Sequence, residues 1–102
     1  MGFTRINEFV ATEGCEEQLM GLLGEVVDYL QKQKGCLSAE LLVAEEDDAR
    51  LVIIERWDSK DTHHQALMNA PKEKMMEARQ WFARPPRGEF FVQPGSSHPS
   101  VH

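Results

Sequence analysis

The stretch LVIIERWDSKDTHHQAL, Leu51 to Leu67, decides the fold. Val, Ile and Trp favour strands while Asp and Lys avoid them, so an apolar strand runs through Ile53 and Ile54 and ends at Trp57 or Asp58. Ser59 is a good N-cap, because its hydroxyl can accept a hydrogen bond from an otherwise unpaired helical N–H. His63 and His64 then fall on the first turns of a helix. The junction places an aromatic, an arginine (Arg56) and two imidazoles beside one strand end, and chemistry is expected there.

Upstream, Phe3 to Val10 alternates as a strand, with Phe3, Arg5, Asn7 and Phe9 on one face and Thr4, Ile6, Glu8 and Val10 on the other. Glu16 and Glu17 suit a first helical turn, where the helix dipole favours carboxylates. Leu19, Leu22, Leu23, Val26, Val27 and Leu30 continue it as an amphipathic stripe, and Gly35 ends it. Cys36 to Glu45 reads as a second strand, Glu46 to Asp48 as an acidic turn, and Arg50 to Trp57 as the third strand.

Downstream, a short helix covers about Ser59 to Asn69, and Pro71 opens another at the position proline tolerates best. That second segment carries Met75, Ala78, Arg79 and Phe82 along one side until Pro85-Pro86 stops it. Glu89 to Gln93 forms a fourth strand. Residues 1–93 make one domain, and the polar, proline-broken segment 94–102 is expected to be a flexible tail. The order β-α-β-β-α-β predicts an α+β, ferredoxin-like sandwich with an antiparallel sheet, its first and third strands side by side.

Composition narrows the function. The 102-residue chain carries a net charge of −6, which argues against a nucleic-acid or anionic-membrane partner. No apolar run approaches the ~18 residues of a membrane span. The N-terminus has no basic flank followed by an apolar segment, so a cytoplasmic location is expected. Cys15 and Cys36 form no metal-binding spacing and are expected as free thiols. The third strand is apolar on both faces, yet helices cover only one face of such a sheet. A homodimer packed sheet to sheet is therefore expected.

The segments INEFVATEG (Ile6 to Gly14) and IERWDSKDTHHQAL (Ile54 to Leu67), each leading into a helix, resemble the antibiotic-biosynthesis monooxygenase (ABM) domains of the dimeric α/β-barrel superfamily. The resemblance spans about Phe3 to Gln93. It implies a homodimeric barrel with a pocket between sheet and helices in each subunit. It also implies oxidation of a quinol-like or other electron-rich aromatic by dioxygen, without metal, flavin or other cofactor. A base would remove a phenolic proton, the anion would reduce dioxygen, and the radical pair would recombine.

On that reading His63 or His64 is the base. Neighbouring helical positions point about 100° apart, so the two cannot face one pocket equally. Asn7 matches a position where related haem-degrading members carry a ligand-binding asparagine, and it is the expected substrate-orienting group. Arg5 and Phe9 on the same face, with Trp57, Met68, Met76 and Phe82, are the expected substrate-binding side chains. Two alternatives stay open. One is a non-catalytic small-molecule-binding dimer. The other is a haem-binding degrader, for which the segment Pro71 to Ala83 lacks the histidine that such relatives use as iron ligand.

Overall fold

A computed structural model describes residues 2–94. The elements follow the order β1 (Phe3–Val10), α1 (Glu16–Gln31), β2 (Cys36–Ala44), β3 (Asp47–Trp57), α2 (Lys60–Met68), α3 (Lys72–Ala78) and β4 (Arg87–Phe91). The four strands form one antiparallel sheet in the order β2-β3-β1-β4, with β1 and β3 adjacent at its centre. This is the α+β sandwich expected. The expectation for the tail falls, Pro94 apart, outside the described residues.

Several boundaries differ from expectation. The β2–β3 turn is the tight pair Glu45-Glu46, so β3 begins at Asp47, where an acidic turn had been expected. Cross-strand pairing of Ala44 with Asp47 overrides the poor strand propensity of the aspartates. Pro71 caps α3 instead of occupying its first turn, and α3 stops at Ala78 in a short 3₁₀ turn, Arg79–Trp81. There Phe82 leaves the helix and bridges to Ala11, stacking on Phe9 at 5.9 Å. Strand β4 sits two residues earlier than Glu89 to Gln93, because Gly88 pairs with Asn7 and Phe90 with Arg5.

One sheet face carries the core. Leu19, Leu22, Leu23, Val27 and Leu30 of α1 pack on Phe9, Leu51, Ile53 and Trp57. Burying such side chains stabilises by roughly 1.5–3 kcal/mol each, so this stripe is what seats α1 on the sheet. Ser59 caps α2 as expected, accepting from the Thr62 N–H at 3.2 Å. The tyrosine hydroxyl of Tyr29 donates to the Ala66 carbonyl at 2.8 Å and ties α2 to α1.

Gly35 fixes where α2 starts. Its φ is +87°, and a Cβ there would overlap the Thr62 side chain. Among the described residues no helix covers the opposite sheet face: Leu42 and Phe91 are 43% and 45% exposed, beside the half-buried Ile6, Val52 and Ile54. No helix among the described residues is long and apolar enough to cross a membrane.

Candidate active site

The strand registers assemble the site. On the helix-covered face, one cross-strand row reads Phe90, Arg5, Glu55 and Ala39, and the next reads Gly88, Asn7, Ile53 and Leu41. A cavity of about 550 Å³ lies between these rows and the helices. Its walls include Asn7 and Glu55 from the sheet, Tyr29 from α1, His63 from α2 and Met75 from α3.

Glu55 is the centre of the polar network and is only 4% exposed. Its Oε1 accepts the Trp57 indole N–H at 2.8 Å, and its Oε2 accepts the Asn7 amide at 2.5 Å. Asn7 Oδ1 in turn accepts from Arg5 Nε at 3.2 Å. Burial pushes the Glu55 pKa up, opposed by the Trp57 hydrogen bond, the Arg5 charge and the Asn7 hydrogen bond. Those donors all favour the ionised carboxylate.

His63 stands beside this network with Nε2 3.9 Å from Glu55 Oε1, and it too is buried, at 7% exposure. Its ring meets the Trp57 and Phe90 rings edge-on, with centroids 5.4 and 5.0 Å away. Burial lowers its pKa, and the charges of Arg5 and His64 lower it further. Each of these favours the neutral imidazole, the form that can take a proton. Glu55, with both oxygens already accepting hydrogen bonds, can stabilise the imidazolium that would form.

Of the side chains singled out in the sequence, Arg5, Asn7, Phe9 and His63 line the cavity, and Trp57 lies behind it, holding Glu55. His64 is exposed and does not line the cavity. Met68 and Met76 are exposed at 58% and 63% and lie off its wall, whereas Met75, a candidate on the same helical segment, lines it. Phe82 packs on Phe9 and is not part of the wall.

Four contributors carry no site assignment from the sequence: Glu55, Tyr29, Phe90 and Gly88. Glu55 did leave a signal, as the one carboxylate in the inward series Leu51, Ile53, Glu55, Trp57. Among the described residues no cluster of three or more potential metal ligands occurs.

A family profile described as "Antibiotic biosynthesis monooxygenase" matches residues 2–78. Curated proteins give no match. Solved structures with the same fold include Rv0793 from Mycobacterium tuberculosis, at TM-score 0.81 and 17% identity over 95% of this chain and 99% of that one. PA3566 from Pseudomonas aeruginosa matches at 0.78 and 18%, over 90% and 93% of the two chains. A variant of SnoaB, a cofactor-independent oxygenase from Streptomyces nogalater, matches at 0.78 and 18%, over 95% and 97%.

Proposed function

Because the chain belongs to the antibiotic biosynthesis monooxygenase family, we propose that it is a cofactor-independent monooxygenase of a quinol-like or other electron-rich aromatic. The observation that carries this reading is the buried Glu55–His63 pair at the wall of a cavity large enough for such a molecule.

In this reading the ring lies between the sheet and α1, with a phenolic hydroxyl toward His63. Neutral His63 takes the phenolic proton, and Glu55 stabilises the resulting imidazolium. Asn7 cannot swing freely, because its amide is committed to Glu55 and its carbonyl to Arg5, so it presents a fixed dipole to the substrate. The phenolate passes one electron to dioxygen, and the radical pair recombines at a ring carbon to give a hydroperoxide. Loss of water from that adduct leaves a quinone. Phenol and dioxygen thus yield quinone and water, with all four electrons drawn from the substrate, so the balance needs no external reductant.

The working unit in this proposal is a homodimer whose uncovered sheet faces close into a barrel. The apolar strip of Ile6, Leu42, Val52, Ile54 and Phe91 supports it, since an exposed patch of this kind on a soluble domain marks an interaction surface.

The test is oxygen uptake by purified, metal-stripped protein against a panel of hydroquinones and polyphenols. Uptake above autoxidation that is lost in His63→Ala and kept in His64→Ala supports the mechanism. Absence of uptake with every member of the panel favours the non-catalytic binding dimer.

A further inference from the structure

Arg5 is used by the network through one nitrogen only. Its Nε donates to Asn7, while no protein acceptor is found for its two terminal nitrogens among the described residues. No buried side-chain nitrogen or oxygen lacks a partner among those residues, so these terminal groups are accessible, and Arg5 is one of the residues that line the cavity. The guanidinium is also held in place. Its carbon lies 4.8 Å from the Phe90 ring centroid, a cation–π contact, and the chain crosses the β4 backbone at Gly88. A Cβ at Gly88 would overlap both the Arg5 terminus and Asn7 Oδ1 and would lie 2.9 Å from the guanidinium carbon. Only glycine leaves room for Arg5 to lie there with Asn7 beside it.

A fixed guanidinium with spare, forked donors facing a cavity is suited to an oxygen anion. We propose that Arg5, laid across Gly88, is the seat of an anionic oxygen, so that the pocket favours acidic phenols or enols and holds them as their anions. This deepens the monooxygenase reading and rests on the same pocket: the seat would hold the phenolate after His63 has taken its proton. Charges of both signs surround it. Glu55, cross-strand from Arg5, has both oxygens engaged by Trp57 and Asn7, and Lys60, with Nζ 5.3 Å from the Phe90 ring centroid, is a second cation beside the ring on which Arg5 lies. On the helix side, Glu25 of α1 is paired with Lys74 of α3, which leaves Asp28 and Lys32 of α1 as the other charged groups on the wall. Gly88 acts as a positioning residue and lies beyond the segment that the family profile matches.

The test compares two probes of nearly equal shape at one mildly alkaline pH, 4-nitrophenolate and neutral 4-nitroaniline, by calorimetric titration of the full-length protein. The expected result is about tenfold tighter binding of the anion, the scale of one charge-assisted hydrogen bond. Arg5→Met should abolish the preference while still binding the neutral probe, and Arg5→Lys should keep part of it. Gly88→Ala should match Arg5→Met with its far-UV circular dichroism unchanged. Equal affinity for both probes in the wild type overturns the seat, as does failure of the wild type to bind either probe. A preference that survives in Arg5→Met also overturns it. A preference that survives in Gly88→Ala removes the glycine from the argument. An anion preference without oxygen uptake by the enzyme would sink the oxygenase reading and leave the seat standing. Uptake without the preference would do the reverse.

Discussion

Replacing Trp57 by Phe asks whether the buried Glu55 carboxylate is stabilised by the indole N–H. Trp57 is fully buried and donates to Glu55 Oε1 at 2.8 Å. A hydrogen bond to a charged group contributes about 1.5–3 kcal/mol and one to a neutral group about 0.5–1.5, so the bond weakens by about 1–1.5 kcal/mol when Glu55 takes up a proton. The smaller ring also leaves a cavity, whose cost does not depend on pH. The loss of stability in Trp57→Phe should therefore be about 1–1.5 kcal/mol larger where Glu55 is ionised than where it is protonated.

The background slope has a definite sign. The folded pKa of Glu55 is raised, so its contribution is fully present below the ordinary carboxylate value and is lost as the pH rises through the raised one. Trp57→Phe raises that pKa further and steepens the decline. Urea unfolding followed by far-UV circular dichroism, at fixed protein concentration and at pH values on either side of the transition, measures both effects. A destabilisation of equal size at the two pH values would refute the claim that the indole favours the charged form.

Three further outcomes are expected. His63 has a lowered pKa, so its contribution is present above the ordinary imidazole value and is lost as the pH falls through the lower one; His63→Phe should flatten stability across that acidic limb, read by the same unfolding series. Gly35→Ala should cost about 2–3 kcal/mol in urea unfolding, from roughly 1 for the positive φ and the rest from displacing Thr62 and its hydrogen bonds to Ser59 and Asp58. Gly14→Ala, also at positive φ but with open space around it, should cost only about 1 kcal/mol. Light scattering should find the wild type a dimer and Leu42→Asp, on the uncovered sheet face, a folded monomer; a monomeric wild type would remove the proposed interface.

The fold was legible because its signals are local. The leucine stripe of α1, the Ser59 cap and the apolar β3 each declare an element within a dozen residues, and the order of elements leaves few topologies. The faces of β1 were also readable, since alternation alone puts Arg5, Asn7 and Phe9 together. The site was legible only where a side chain and its reason lie on the same strand. Asn7 is a polar group on a central strand, and Glu55 stands at the same kind of position: the inward parity of β3 places its carboxylate between Ile53 and Trp57.

The rest depended on pairings the chain does not announce. His63 was separated from His64 only by how α2 docks, and that docking is set by Gly35 against Thr62 and by Tyr29 against Ala66. Gly88 carries no signal of its own in the sequence. Its role exists only because β4 pairs with β1 in the register that places it opposite Asn7 and sets Phe90 opposite Arg5. A shift of one residue would swap the faces of β4 and set side chains where Arg5 now lies. The network Arg5–Asn7–Glu55–Trp57 is thus written across two strands, β1 and β3, and closed by a glycine on a third, β4. Strengthening or breaking the β4 register should change the site before it changes the fold.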